Sequence, residues 1–94
     1  NPQEVEDALM ATGLVVEAAI LVVKDGLLGN KMIAMGTPIN KEIDAKQIIG
    51  SCAQKLPQHM VPTDVMMLRS LPKNKNGKVD IGACEKIARS ATSR

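Results

Sequence analysis

The sequence predicts an α+β fold: a small, mostly antiparallel three-stranded sheet packed with helices, in the order helix, strand, strand, helix, strand, loop, helix. Two β-branched apolar runs flank a short glycine-containing segment, as in a β-hairpin. Two later segments repeat apolar residues at helical spacing. A chain of 94 residues makes one domain, because separate cores arise only in much longer chains.

The first helix is predicted over "NPQEVEDALMATG", which carries signals for both ends. Asn1 is the expected N-cap, Pro2 suits the first helical position, Glu4 completes a capping box and Gly13 ends the helix. Because this helix begins at residue 1 without a lead-in, we expect the chain to be a piece of a larger protein. The predicted buried stripe is Val5, Ala8 and Leu9.

The hairpin strands are predicted over residues 14–25 ("LVVEAAILVVKD") and 30–39 ("NKMIAMGTPI"), joined through the loop "GLLG". Each strand is expected to pack at least one face against helices. The loop also matches the GxxG pattern of KH domains, but that motif joins two helices, so a plain hairpin loop is the better interpretation.

The second helix is expected to begin after Asn40 as its N-cap and to end at Pro57. The connector "LPQHMVP" then leads to a third short strand in "DVMMLRS". Apolar residues at helical spacing define the buried face of this helix: Ala45, Ile48, Ile49, Cys52, Ala53 and Leu56.

The loop "LPKNKNGKVD" follows the third strand and contains the strongest turn signal of the chain, Asn76-Gly77. A short, stiff loop braced by Pro72 would hold Lys78 at a fixed base. Asp80 is expected to cap a last helix, and the final "SATSR" to be a frayed tail. In that helix Ile81, Cys84 and Ala88 are expected inward, and Glu85, Lys86 and Arg89 outward.

Composition excludes several classes of function. A formal net charge of +2 gives no electrostatic footprint for nucleic acid, and without Phe, Tyr or Trp there is no platform for base stacking. Six methionines are interpreted as core packing. Two cysteines without CxxC spacing favour a reducing, cytoplasmic setting, and no apolar run is long enough to cross a membrane.

Spacing alone leaves the role of Lys78 open between a solvated hairpin tip and a catalytic group. The single histidine, His59, is a weak candidate for a nucleophile pair with Cys52, or for a metal site with Cys84 and Asp64. Because Cys52 lies on the inward stripe of its helix, an inert structural thiol is the better interpretation.

Residues 56–80, "LPQHMVPTDVMMLRSLPKNKNGKVD", closely resemble the end of adenylate-forming (ANL superfamily) enzymes. This superfamily includes nonribosomal peptide synthetase adenylation domains, carrier-protein ligases and acyl-CoA synthetases. "PQEVEDAL" and "VVEAAILVV" also look like the segment after the family's hinge, so the resemblance covers nearly the whole chain. The matching motifs are Leu56-Pro57, Met60-Val61-Pro62, Leu71-Pro72 and Asn76-Gly77-Lys78-Val79-Asp80.

The resemblance implies that residues 1–94 are the C-terminal lid subdomain of such an enzyme, with the large N-terminal domain missing and the hinge upstream of Asn1. Lys78 would be the catalytic lysine of adenylation, contacting the ATP phosphate and presented by Asn76 and Gly77. ATP and Mg²⁺ would be bound mainly by the missing domain, and a phosphopantetheine or coenzyme A thiol would accept the acyl group. The fragment alone is expected to be inactive.

Two departures limit the assignment to a subfamily: Ile81 stands where peptide synthetases often have arginine, and His59 where many relatives have an aromatic residue. The "NGKVD" motif leans towards loading of a carrier protein. The alternative interpretation is a non-catalytic docking or regulatory domain on the same scaffold, with Lys73 and Lys75 facing an acidic carrier-protein helix.

Overall fold

The structure is a computed structural model that describes residues 2–24 and 30–92. The expected N-cap role of Asn1, its capping box with Glu4 and the "GLLG" loop fall outside the described residues. The element order confirms the predicted α+β fold class. The elements are α1 (Pro2–Ala11), β1 (Val15–Lys24), β2 (Asn30–Pro38), α2 (Ala45–Lys55), a short 3-10 helix (Gln58–Met60), β3 (Asp64–Met67) and α3 (Ile81–Thr92).

The sheet is mixed, with β2 in the centre between β1 and β3. β1 and β2 are antiparallel over most of their length, with Leu21 opposite Ile33. The shorter β3 runs parallel to β2, beginning where Ile33 pairs with Asp64. A parallel neighbour requires a crossover connection, and α2 provides it.

The two faces of the sheet bury two separate apolar clusters, because alternate residues of a strand point to opposite sides. Ala18 and Ile20 of β1 belong to one cluster, and Ala19 and Leu21 to the other. The first cluster is shared with α1 and α2 through Val5, Leu9, Ile48 and Cys52. The second is shared with α3 and with the loop before it, through Leu71, Cys84 and Ala88.

The ends of α1 and α2 follow local rules, with one correction. Gly13 has a φ of 73°, the left-handed conformation that commonly follows a helix C-terminus. Asn40 is not the N-cap of α2, which was a wrong prediction. Asp44 caps it in a capping box with Gln47, whereas the Asn40 side chain accepts a hydrogen bond from the Glu42 backbone N–H.

At α3 the predicted cap is confirmed: the Ala83 N–H donates to Asp80 Oδ1 at 3.0 Å. Cys84 and Ala88 are buried as expected, but Ile81 is 45% exposed, contrary to the prediction. Helical side chains lean towards the N-terminus, so the first residue of a helix extends past its end instead of onto the sheet. The "SATSR" tail was also predicted wrongly in part, since α3 continues to Thr92.

Among the described residues, no helix is both long and apolar enough to cross a membrane.

Candidate functional site

Lys78 lies on a small hairpin, residues 71–80, which we call the lysine hairpin. Its two arms meet where Lys73 forms an antiparallel bridge with Val79. The Asn74 N–H donates to the Lys78 carbonyl at 2.8 Å, and the Asp80 N–H donates to the Pro72 carbonyl at 2.9 Å. The lysine therefore sits at the point where the loop is closed by backbone hydrogen bonds.

The turn of this hairpin contains the predicted Asn76-Gly77 signal but is longer than the two-residue turn that an Asn-Gly pair commonly forms. The Gly77 N–H donates to the Asn74 carbonyl at 3.0 Å, which closes a four-residue turn. Gly77 has a φ of 80°, and no described non-glycine residue has a positive φ. The loop is thus a turn followed by a left-handed glycine, the common three-residue hairpin connection, and Asn76 does not adopt the left-handed conformation.

The side chain of Asn74 fixes the backbone of the turn that leads to Lys78. Its Oδ1 accepts one hydrogen bond from the Asn76 N–H at 2.8 Å and another from the Lys78 N–H at 3.1 Å. The backbone of Lys78 is therefore fixed on both sides, since its carbonyl is bonded to Asn74 as well. Asn74 was not singled out from the sequence, although asparagine at the start of a turn is a recognisable signal.

The side chain of Lys78 is exposed, and no described residue forms an ion pair with its ammonium. A fixed backbone with an unpaired terminal charge suits a group that reaches an anion outside this chain. A long lysine side chain carries a compact charge with three donors, which is well matched to a phosphate oxygen.

Glu17 in β1 joins the lysine hairpin to the sheet. Its Oε2 accepts hydrogen bonds from the Leu71 N–H at 2.9 Å and from the Thr37 hydroxyl at 3.0 Å. Its Oε1 lies 2.6 Å from Lys73 Nζ. The same ammonium donates to the Leu71 carbonyl at 3.1 Å, so the base of the hairpin is tied to one carboxylate.

Glu17 faces the hairpin because it shares one face of β1 with Ala19 and Leu21, and a β-bulge just before it places Val15 on the opposite face. The register of β1 against β2 shifts between Val15 and Glu17, with Val15 opposite Pro38 and Glu17 opposite Thr37. Bulges re-aim side chains. Val15 therefore joins the cluster under α1 and α2, while the Glu17 side chain meets the hairpin beside the α3-side cluster.

The environment of Glu17 favours its charged form. The hydrogen bond with Lys73 is the main cause that lowers the pKa of Glu17, and the hydrogen bond from the Leu71 backbone lowers it further. Partial burial acts in the opposite direction but is outweighed. Glu17 is accordingly an ionised anchor at neutral pH.

The other candidate residues are not brought together. Cys52 and Cys84 are free thiols, fully buried in different clusters, and burial raises the pKa of both. His59 is exposed on the 3-10 helix. Within residues 2–24 and 30–92, no group of three His, Cys, Asp or Glu side chains is arranged to hold a metal ion.

The docking alternative relied on Lys73 and Lys75, and the two lysines differ in the structure. The Lys73 ammonium is engaged with Glu17 and the Leu71 carbonyl. Lys75 is exposed at the tip of the lysine hairpin. A docking surface would therefore depend mainly on Lys75.

Glu17 was also not recognised from the sequence. The available signal is a single charged residue within the apolar run "LVVEAAILVV". In a strand packed on both faces, an acidic side chain needs partners, but the sequence does not show that they include Leu71, 54 residues further along the chain.

Comparison with known proteins agrees with this architecture. The chain is 44% identical over 80 residues to an L-proline--[L-prolyl-carrier protein] ligase of Pseudomonas fluorescens, an alignment covering 82% of this chain and 16% of the relative. It is 33% identical over 84 residues to an anthranilate--CoA ligase of Pseudomonas aeruginosa, covering 83% of this chain and 16% of that protein. The chain thus spans about a sixth of the length of these two relatives.

A solved fatty acyl CoA synthetase of Mycobacterium tuberculosis has the same fold over 96% of this chain and 18% of its own, with a TM-score of 0.87 and 22% identity. The family described as "AMP-binding enzyme C-terminal domain" matches residues 4–78, from α1 to the lysine of the hairpin. The chain belongs to this family, and is a C-terminal domain of the AMP-binding, adenylate-forming enzymes.

Proposed function

We propose that this chain is the mobile C-terminal subdomain of an ATP-dependent enzyme that activates a carboxylic or amino acid and passes it to a thiol. Lys78 is its catalytic residue in the activation step. The single observation that carries the proposal is the exposed Lys78 ammonium, which pairs with no described residue, on a backbone held by Asn74.

The chemistry requires such a group. When a carboxylate oxygen attacks the α-phosphorus of ATP, a new P–O bond forms, the bond to pyrophosphate breaks and negative charge develops on the phosphate oxygens. A positioned ammonium stabilises this charge most strongly where water is excluded. Contact of the same ammonium with the carboxylate also orients the attack.

The partners follow from this role. A large N-terminal domain of the parent protein supplies the binding sites for ATP, Mg²⁺ and the acid, and the small share of the relatives that this chain spans supports its presence. A thiol of phosphopantetheine or coenzyme A then attacks the acyl carbonyl, and AMP leaves. The 44% identity to a carrier-protein ligase supports a carrier protein as the acceptor.

The proposal is tested by acid-dependent ATP–pyrophosphate exchange with the intact parent protein. A panel of amino and carboxylic acids is assayed with the wild type, Lys78→Ala and the control Lys75→Ala, which removes an exposed lysine from the same hairpin. We expect exchange with one acid, lowered about 10²-fold in Lys78→Ala and retained in Lys75→Ala. No exchange with any acid, or equal exchange in all three proteins, would favour the docking alternative.

A further inference from the structure

We infer that Glu17 is a positioning residue for the activation step: its carboxylate sets the place of the lysine hairpin on the sheet and thereby the place of the Lys78 ammonium. The inference rests on the proposed role of Lys78 and adds a residue from a distant strand to that site.

The contacts of Glu17 are directed at the base of the hairpin. One carboxylate oxygen accepts from the Leu71 N–H, and the other pairs with the Lys73 ammonium. Leu71 and Lys73 begin the arm that leads into the turn, and Lys73 is bridged to Val79, the neighbour of Lys78. The Glu17 carboxylate is therefore connected to the backbone beside Lys78 through a small number of hydrogen bonds.

Glu17 is itself fixed from the opposite side. The Thr37 hydroxyl on β2 donates to Oε2, so the carboxylate is held between the central strand and the hairpin. The Glu17 side chain is 22% exposed, which limits competition from water for these bonds. Leu71 adds an apolar contact, being buried in the α3-side cluster.

Loss of this anchor should affect geometry more than folding. Gln at position 17 keeps the size of the side chain but loses the negative charge and one acceptor oxygen. A displacement of about 1 Å at a catalytic group costs on the order of 10²-fold in rate. We expect Glu17→Gln to lower acid-dependent exchange by about 10-fold or more, mainly in kcat, because the lysine acts in the transition state.

The test is a double-mutant cycle in the intact parent protein, with the wild type, Glu17→Gln, Lys78→Ala and the double variant. If Glu17 acts through Lys78, Glu17→Gln lowers exchange in the wild type but has no further effect in Lys78→Ala. Thioester formation from supplied acyl-adenylate stays unchanged. Glu42→Gln is the matched control, because Glu42 is exposed in the connection before α2.

Hydrogen–deuterium exchange supplies a second readout. The amides of residues 71–80 should exchange faster in Glu17→Gln, while those of α1 and α2 keep their wild-type rates. If Glu17→Gln does not fold, Lys73→Gln removes the ion pair with Glu17 and the hydrogen bond to the Leu71 carbonyl, but keeps the bonds that Glu17 accepts from Leu71 and Thr37. It is expected to cause a smaller loss of exchange activity and, like Glu17→Gln, to leave thioester formation unchanged.

The inference is overturned if Glu17→Gln behaves like Glu42→Gln, if it lowers both half-reactions equally, or if its effect persists in the Lys78→Ala background. Failure of the proposed function gives a different pattern, because Lys78→Ala itself would then retain wild-type exchange. A normal Glu17→Gln together with an impaired Lys78→Ala rejects only the role of Glu17.

Discussion

The carboxylate of Glu17 accepts a hydrogen bond from the backbone N–H of Leu71 at 2.9 Å, across 54 residues of sequence. This bond connects an edge strand of the sheet to the loop that presents Lys78. It also makes the stability of the domain dependent on the charge of one side chain.

Glu17→Gln is expected to lower the free energy of unfolding by about 1 to 3 kcal/mol at neutral pH, the usual range for hydrogen bonds to a charged group. Because the folded state lowers the pKa of Glu17, its contribution is complete above the unfolded pKa and is lost as the pH falls through the folded pKa. Urea denaturation of wild type and variant should therefore show a difference that shrinks below about pH 4. A difference independent of pH between about 7 and 3 would contradict this explanation.

Gly77→Ala is expected to destabilise the domain by about 1 to 2 kcal/mol, because a side chain disfavours the left-handed conformation. Gly77 has a φ of 80°, and an added Cβ would meet nothing within 4 Å, so conformation and not crowding is responsible. Gly50→Ala is the matched control: its Cβ site is equally open, but it lies inside α2. That substitution should stabilise by about 1 kcal/mol. The check is the midpoint temperature of thermal unfolding. A shift of this temperature in the same direction for both variants would contradict the expectation.

Asp80→Ala is expected to cost about 1 kcal/mol, since its Oδ1 caps the first turn of α3 through the Ala83 N–H. Asp80→Asn keeps an acceptor oxygen and should retain most of the stability. Urea denaturation of the two variants separates capping from other effects of the carboxylate. Equal losses in both would show that the charge, and not the acceptor, is what stabilises α3.

Cys52 and Cys84 are expected to be unreactive in the native state. Both thiols are fully buried, and burial raises the pKa of each, so little reactive thiolate is present. An aromatic disulfide reagent should therefore modify them only after the chain is unfolded in urea. Rapid modification of either cysteine under native conditions would mean that its helix opens readily.

Local signals in the sequence were sufficient to predict most of the fold. Gly13 after α1 and Asp80 before α3 lie where capping rules place them. The start of α2 was misplaced because Asn40 and Asp44 are both good caps. Gln47 three residues after Asp44 was the signal that distinguishes them.

The long-range contacts of the site could not be predicted from local sequence signals. The exposed Lys78 and the left-handed Gly77 follow from a short motif. The anchoring of that motif by Glu17 depends on the packing of a loop against a strand far away in sequence. Hydrophobic periodicity shows which side of a single helix or strand is apolar. It carries no information about which distant polar groups will form hydrogen bonds with that helix or strand.

The most direct test of the central claim compares the two half-reactions in the intact parent protein carrying Lys78→Ala. Adenylate formation is measured by trapping the activated acid, and acyl transfer is measured from supplied acyl-adenylate to the thiol acceptor. We expect adenylate formation to fall about 10²-fold while transfer remains at the wild-type rate. Equal losses in both half-reactions, or no loss in either, would contradict the assignment of Lys78 as the catalytic residue of activation.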